Sequence, residues 1–277
     1  MEITSAQNPK IKHLLLLQQK AQQRRREGLF VVEGVRELQH CLEAGYEVES
    51  LFVNEELRMK PFIHHSSLFT LPASLYERVA YRGTTEGVIA IVKERRFTLD
   101  NLADKLFAPH SHQRGTGALI MVLEGVEKPG NLGAVLRSAD AAQADAVIVC
   151  DPLTDLYNPN LIRASIGAVF TVPTVVCSSE ECIAFLKEHR IAILTAQLQD
   201  SHLYYDTDMC GPVALVMGTE STGLTQQWRD AADAHIRIPM LGRLDSLNVS
   251  VSAAILLFEA VRQRNSLPPS PSQGRVE

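Results

Sequence analysis

The stretch ALIMVLEGVEKPGNLGAVLRSADAAQADAVIVCD, residues 118–151, decides the fold. It opens with a run of apolar residues, turns at Pro129 and Gly130, continues as a helix predicted from Asn131, and ends in a second apolar run at 146–150 that is followed by Asp151. Nearly continuous apolar runs joined by a helix are typical of parallel strands whose two faces are both covered. The stretch therefore predicts a strand, a helix and a second strand of one parallel sheet.

The same alternation continues toward the C-terminus. Three further strand-like runs follow, with helices between them: FTVPTVV, IAILTAQ and VALVMGTE. A long helix is predicted from about Asn248 to Arg264. We expect residues 118–264 to form one α/β domain, and the tail 265–277, rich in Pro and Ser, to be disordered.

Residues 1–108 predict a smaller α/β domain. A basic helix at 8–27 precedes the strand-like LFVVEG, a helix that stops at Gly45, and the runs VESLFVN and EGVIAIVK. The polar segment PHSHQRGTG, residues 109–117, is typical of a linker. Its two histidines, His110 and His112, have no partner ligands nearby in sequence, so a linker is preferred to a metal site.

Composition indicates an ordinary soluble globular protein. Of 277 residues, 45% are hydrophobic and 21% are charged, and no apolar run approaches the about 20 residues that cross a bilayer. No export signal is visible, so we expect a reduced, cytoplasmic location. The cysteines are scattered and form no CxxC pair, which predicts neither a disulfide framework nor a zinc site. They are Cys41, Cys150, Cys177, Cys182 and Cys210.

Charge is distributed unevenly along the chain. The net charge of −5 argues against a nucleic-acid partner, but residues 1–30 carry six Lys and Arg residues against two Glu. Such a run is usually a solvated helix face. If the protein binds phosphates, this is where the surface is expected.

Three loops that follow strands or precede the last helix are unusual, and an open parallel sheet binds its ligands beyond the carboxyl ends of its strands. In the first loop, 127–141, Asn131 suits a helix cap, and Gly133 permits close approach of a ligand or another backbone segment. Arg137 could form bidentate hydrogen bonds to a phosphate or an ion pair with Asp140. The second, 216–224, places a carboxylate between two glycines, although the glycines also suit a tight turn. The third is IPMLGRLDSLNVSVS, residues 238–252.

Other catalytic motifs are missing. The sequence has no GxGxxG after the first strand of residues 118–264, no Walker phosphate loop and no GxSxG elbow. These absences argue against hydride transfer, ATP hydrolysis and serine esterase chemistry.

Taken together and in order, the three loops resemble the SpoU/TrmH-type RNA 2′-O-ribose methyltransferases of the SPOUT superfamily. The matching positions are Asn131, Gly133 and Arg137, then Gly218, Glu220 and Gly223-Leu224, then Ile238–Met240 and Ser246–Ser250. The segment IRASIGAVFTVP, with Arg163, Ser165 and Gly167, is also similar to the family, as are ITSAQNPKIK and FVVEG near the N-terminus. The resemblance spans nearly the whole chain.

The resemblance implies a deep trefoil knot that forms an S-adenosylmethionine pocket, preceded by a small RNA-binding domain. The small polar residues at the start of the last predicted helix lie where, in the implied knot, one chain segment passes through another. It implies cofactor contacts from Met217, Gly218, Thr219, Gly223, Ile238, Met240, Leu247 and Asn248.

The implied reaction is in-line attack of a ribose 2′-hydroxyl on the sulfonium methyl group, for which no metal is required. The implied catalytic set is Asn131, Arg137, Glu220, Ser246 and Asn248. We expect Arg137 to clamp the adjacent phosphate and steady the developing alkoxide, with Asn131 and Glu220 holding its guanidinium and Ser246 and Asn248 ordering the site. A guanidinium is a poor base, because its pKa lies above about 12.

The implied partners are RNA, with ribosomal RNA preferred to transfer RNA or an antibiotic-resistance target, and a second copy of the chain. RNA contacts are expected from Lys10, Lys12, Arg24, Arg25, Arg26, Lys128, Arg137 and Arg163. A helix face formed by Ala253, Ala254, Leu257 and Val261 suits either a dimer interface or an internal core. The family often has Asp where this chain has Lys128, and a Pro-Gln-Gly segment where it has TTEG. Both departures lie on surfaces expected to face the RNA, so they affect the identity of the substrate more than the chemistry.

Two other functions remain open. One is a catalytically silent RNA-binding or ribosome-assembly protein with the same fold, against which the intact catalytic set argues. The other is a small-molecule methyltransferase, which has no use for a separate basic N-terminal domain.

Overall fold

A computed structural model describes residues 1–56, 67–81, 86–108, 117–219, 221–244 and 246–266. The expectations for the linker at 109–116, for Glu220 and for the tail from 267 onward lie outside these residues. The chain divides into two compact units. The first unit comprises Met1–Arg96 and Thr154–Thr171, and the second comprises Phe97–Leu153 and Val172–Glu277. The predicted domain bounds, 1–108 and 118–264, stay a prediction.

The first part of the chain contributes these elements: α1 (Pro9–Gln19), α2 (Ala21–Glu27), β1 (Leu29–Glu33), α3 (Val35–Glu43), β2 (Val48–Asn54), β3 (Leu68–Leu71), α4 (Ala73–Val79) and β4 (Val88–Lys93). The remainder contributes α5 (Leu99–Phe107), β5 (Leu119–Glu124), α6 (Pro129–Ala141), β6 (Ala146–Cys150), α7 (Pro159–Ala164), α8 (Ala168–Thr171), β7 (Thr174–Cys177), α9 (Ser179–Glu188), β8 (Ala192–Ala196), β9 (His202–Leu203), β10 (Val213–Met217), α10 (Gln226–Ala231), β11 (Ala234–Arg237) and α11 (Val249–Asn265), with a 3₁₀ turn at Tyr204–Asp206.

The first unit is built on a four-stranded sheet in the order β1-β4-β2-β3. Strand β4 is antiparallel to both β1 and β2, whereas β2 and β3 are parallel. One face of α1 packs on this sheet, because Ile11, Leu14 and Leu17 join Phe52 and Ile89 in a common core. Helices α7 and α8 complete the unit, and the ring of Phe170 lies 6.0 Å from that of Phe30.

The predicted single helix at 8–27 is wrong, because Lys20 is extended and separates α1 from α2. The last carbonyls of α1 find a partner outside the helix. The Arg24 guanidinium donates to the carbonyls of Leu17 and Gln18 at 2.6 and 3.1 Å. These hydrogen bonds stabilise the C-terminus of α1, and helical periodicity in the sequence does not reveal them.

The second unit confirms the predicted parallel sheet. Its seven strands lie in the order β7-β6-β5-β10-β8-β11-β9, and every pair is parallel. Apolar side chains from both faces of the central strands are buried, including Ile120 and Met121 in β5. No helix among the described residues is long and apolar enough to span a membrane.

Two local predictions in this half of the chain are wrong. FTVPTVV is not one strand: Phe170 and Thr171 belong to α8, and β7 begins only at Thr174, after Pro173 has interrupted the backbone donors. Helix α6 begins at Pro129 with Lys128 at its N-cap, so Asn131 lies inside the first turn and is not the cap. Proline suits the first helical position, where its missing N–H costs no hydrogen bond.

Candidate active site

The carboxyl ends of β5 and β10 form the centre of the candidate site. The two strands are neighbours, with Leu123 opposite Met217, so the loops that follow them lie side by side. A cleft of about 120 Å³ opens between these loops. It is lined by Leu123, Glu124, Gly125, Val126, Glu127, Lys128, Asn131, Gly218, Thr219, Ser221 and Val249. The cleft therefore brings together residues of all three loops singled out in the sequence.

The loop after β10 folds back tightly on itself. Thr219 and Gly223 exchange two backbone hydrogen bonds at 3.2 and 3.1 Å, and the Thr219 hydroxyl accepts one from the Thr222 N–H at 3.0 Å. A Cβ on Gly218 would overlap the backbone of Gly223 and Leu224. Gly218 is thus required by the close approach of two backbone segments, and Gly223, with φ of +69°, by its left-handed conformation.

Glu124, which was not predicted from the sequence, binds Thr225 at the end of this loop. Its carboxylate is 6% exposed and accepts hydrogen bonds from the Thr225 N–H at 2.9 Å and the Thr225 hydroxyl at 2.7 Å. The Ser179 hydroxyl lies 3.4 Å from the same carboxylate and accepts a hydrogen bond from the Trp228 indole. The signal in the sequence was a charged residue at the end of an otherwise apolar strand.

Asn248 joins the last helix to the first loop. As N-cap of α11, its Oδ1 accepts hydrogen bonds from the N–H and hydroxyl of Ser250 at 3.0 and 2.6 Å. Its Nδ2 donates to Oδ1 of Asn131 at 3.2 Å. The polar residues at the start of α11 therefore cap the helix and hold it to the edge of the cleft.

Arg137 lies apart from this cluster. It is exposed on α6, six residues beyond Asn131, and at 100° per residue the two side chains leave the helix in different directions. Within the described part of the chain it makes no side-chain hydrogen bond or ion pair, so the alternative bridge to Asp140 is not formed. One chain brings Asn131 and Asn248 together but leaves Arg137 pointing into solvent.

The other residues expected at the cofactor site, and Ser246 of the expected catalytic set, lie at the end of β10 and in the segments that follow β10 and β11. Met217 is buried at the end of β10, Thr219, Ile238 and Met240 are half-buried, and Ser246 and Leu247 are exposed. Leu241 and Leu244, in the same segment, are 96% and 79% exposed. Glu220 lies outside the described residues.

The basic residues of the first unit do not share one environment. Lys10, Lys12, Arg25 and Arg26 are exposed. Arg24, in contrast, is 4% exposed and pairs with Asp155 at 2.7 Å. Arg24 is therefore a structural residue of this unit and is removed from the expected RNA surface.

A second cavity, of about 310 Å³, lies within the first unit. The exposed Arg163, expected to contact RNA, lines it together with Arg36 and Tyr81, which the sequence reasoning missed. Glu86 borders it as well and accepts a hydrogen bond from the Val35 N–H at 2.7 Å. The cavity combines two guanidinium groups and an aromatic ring with the carboxylates of Glu33, Glu37 and Glu86, and Arg36 pairs with Glu37 at 3.4 Å.

Solved structures with the same architecture define the class of protein. The crystal structure of an RNA 2′-O ribose methyltransferase is 38% identical, covers 96% of this chain and 100% of its own, and superposes with a TM-score of 0.78. The AdoMet-bound rRNA methyltransferase from Sinorhizobium meliloti is 27% identical, covers 97% and 99%, and superposes with a TM-score of 0.83. The fold is that of an α/β RNA methyltransferase.

Family models narrow the class. The SpoU rRNA Methylase family matches residues 118–258, and the MRM3-like substrate binding domain matches residues 8–90. A curated relative, the 23S rRNA (guanosine-2′-O-)-methyltransferase RlmB of Photorhabdus laumondii, is 36% identical over 227 residues, which cover 79% of this chain and 91% of the relative. This chain belongs to the SpoU rRNA methylase family, which confirms the resemblance seen in its three loops.

Proposed function

We propose that this chain transfers the methyl group of S-adenosylmethionine to the 2′-hydroxyl of a guanosine ribose in 23S ribosomal RNA. The observation that carries the proposal is the cleft between β5 and β10, where the Gly218 loop, Asn131 and the Asn248 cap converge. The relative RlmB, a 23S rRNA (guanosine-2′-O-)-methyltransferase, supports the choice of nucleotide and RNA.

The residues around the cleft fit S-adenosylmethionine. Two carboxylates, Glu124 and Glu127, and one ammonium group, Lys128, line it, and the excess negative charge suits a sulfonium cation. The half-buried Ile238 and Met240 provide an apolar surface for the adenine, and the Gly218 loop offers backbone groups to the nucleoside. The bound cofactor supplies an activated methyl group with a good leaving group.

Catalysis then depends on how the protein presents the ribose hydroxyl. Asn248 holds Asn131 at the rim of the cleft, so both amides are oriented before RNA arrives. Arg137 clamps the phosphate next to the target nucleotide and stabilises the developing alkoxide. Ser246 and Glu220 belong to this proposed set.

Arg137 reaches the site from a second copy of the chain. It is exposed and unpaired among the described residues, and it leaves α6 on a different side from Asn131. We therefore assign the complete active site to a homodimer, in which each cleft uses Asn131 and Asn248 of one copy and Arg137 of the other.

The dimer interface is assigned to an exposed apolar stripe of α11 and the segment before it. Ala253 and Leu257, from the helix face considered in the sequence, are fully buried inside the second unit and do not face a partner. Val251 and Phe258, seven residues apart, are each 47% exposed, and Leu247 is 40% exposed. The double variant Val251→Asp/Phe258→Asp should be monomeric by light scattering. The single variant Ala254→Asp tests in the same way whether the half-buried edge of the stripe belongs to the interface.

Segment 238–248 and the start of α11 carry the proposed trefoil knot. The small residues of early α11 suit a segment threaded past the loops after β5 and β10. The Asn131 to Asn248 bond supports this assignment, because it ties the threaded segment to the β5 loop.

RNA binding is assigned to exposed cations of both units. Lys10, Lys12, Arg25 and Arg26 lie on the first two helices, Arg36 and Arg163 line the cavity with Tyr81, and Lys128 lies at the cleft. The net charge of −5 makes these local patches the source of phosphate attraction, so binding should weaken steeply with salt.

The decisive experiment uses the full chain, tritiated S-adenosylmethionine and RNA from a host that lacks the gene. Label in 23S ribosomal RNA that survives as a 2′-O-methylguanosine nucleoside supports the proposal. Asn248→Asp should abolish transfer, whereas the control Gln39→Ala should leave it unchanged. RNA binding without transfer to any RNA fraction would favour the catalytically silent assembly protein.

A further inference from the structure

Three cysteines that are distant in sequence meet at the carboxyl edge of the second unit's sheet. The Sγ atoms of Cys150, Cys177 and Cys182 all lie within 4.8 Å of one another. Cys150 ends β6, Cys177 ends β7 directly opposite it, and Cys182 lies in the first turns of α9. The cluster therefore sits on three rigid elements that follow one another around the sheet edge.

The spacing of the sulfurs suits a single soft cation. Metal to thiolate bonds of about 2.3 Å place the three sulfurs of a planar site about 4 Å apart, so small side-chain rotations close the observed cluster around an ion. Cys150 and Cys182 are fully buried, whereas Cys177 is half-buried and provides access from solvent. Among the described residues, no imidazole or carboxylate joins the three sulfurs as a ligand within the same distance.

The surrounding charges favour a bound cation over free thiolates. Asp151 and Glu181 flank the cluster, and their carboxylates are held by Ser179 and by Ser178 at 2.7 to 2.9 Å. The N-terminus of the ten-residue α9 partly offsets this negative charge.

We propose that Cys150, Cys177 and Cys182 form a three-coordinate thiolate site for a soft d¹⁰ cation, with Cu⁺ preferred to Zn²⁺. Thiolates select such ions, and Zn²⁺ in structural sites takes four ligands, one more than the cluster supplies. Binding replaces the thiol protons with the ion and releases them to solvent. The simpler use of the cluster is as apolar packing, since buried cysteines often act as small hydrophobic residues.

The test does not depend on methyl transfer. The reduced, metal-free full chain is titrated anaerobically with Cu⁺ against a coloured Cu⁺ chelator, beside the variants Cys177→Ser and Cys210→Ser. Cys210 is also half-buried but lies outside the cluster, which makes it the matched control. Circular dichroism melting shows whether each variant is folded.

We expect one Cu⁺ per wild-type chain and per Cys210→Ser chain, three sulfur neighbours by X-ray absorption, and at least a hundredfold weaker binding in folded Cys177→Ser. Failure of the folded wild type to compete with the chelator, or equal binding by Cys177→Ser, would overturn the site and leave the cluster as packing. A parallel titration with Zn²⁺ that gives tighter, Cys177-dependent binding would overturn the preference for a three-coordinate ion.

Discussion

The side-chain amide N–H of Asn248 donates a hydrogen bond to Asn131 at 3.2 Å across 117 positions of sequence, while the side-chain Oδ1 of Asn248 caps helix α11. One side chain thus performs two tasks that different substitutions can separate. The cap requires only an acceptor oxygen, whereas the link to Asn131 requires the amide N–H.

Asn248→Asp is therefore expected to keep the cap and lose the link. Its unfolding free energy should change by less than about 0.5 kcal/mol, whereas Asn248→Ala should lose about 1 kcal/mol with the cap. Both variants should lose methyl transfer. Urea unfolding and the tritium assay measure the two effects, and a fully active Asn248→Asp enzyme would show that the link to Asn131 has no catalytic role.

Gly218→Ala should collapse the cofactor site. The added Cβ meets the backbone of Gly223 and Leu224, so the loop must open at a cost of about 1–3 kcal/mol. We expect at least tenfold weaker binding of S-adenosylmethionine by calorimetry. Gly211→Ala is the control, because a Cβ there contacts no atom within 4 Å. Unchanged cofactor affinity in Gly218→Ala would place the nucleoside elsewhere.

Arg137 should act across the dimer. Arg137→Ala and Asn248→Asp, each inactive alone, are mixed and allowed to exchange subunits. Random pairing makes half of the dimers hybrid, each with one intact site, so activity should recover to about a quarter of wild type. If Arg137 serves its own chain, the hybrids have no intact site and the mixture stays inactive.

Arg24 and Arg25 are neighbours with opposite expected effects. Arg24→Gln leaves the carboxylate of Asp155 without its partner in a nearly buried position, so the unfolding free energy should fall by about 3 kcal/mol. Arg25→Gln should leave stability within about 0.5 kcal/mol of wild type, weaken RNA binding and lower the salt dependence of log K by about one. Thermal melts and filter binding at several salt concentrations check both.

The sequence predicted what depends on local pattern. Continuous apolar runs identified the parallel strands, and the order of three loops identified the family, because strand ends and tight turns leave residue-type signals at short range. It failed where a distant group stabilises a local break. The helix predicted at 8–27 divides at Lys20 because Arg24 returns to bond the carbonyls of Leu17 and Gln18.

The residues of the candidate site could be selected from the sequence only in part, for the same reason. Asn131, Gly218 and Asn248 were found through motifs, but Asn131 was misread as a helix cap, since Pro129 starts α6 earlier. The cysteine cluster was invisible to a search for CxxC spacing. Cys150 and Cys177 lie side by side because β6 and β7 are neighbouring strands paired in register. The order of strands in a sheet does not follow from sequence spacing, so this contact could not be predicted.

The segment Thr154–Thr171 lies between strands β6 and β7 of the second unit, yet its contacts belong to the first. Leu161, Ile162 and Phe170 are buried there, and exposing each costs about 1.5–3 kcal/mol. The chain consequently passes between the units three times, and no single cut separates them. A single junction therefore cannot exchange the first unit between related chains, because Met1–Arg96 and Thr154–Thr171 have to move together.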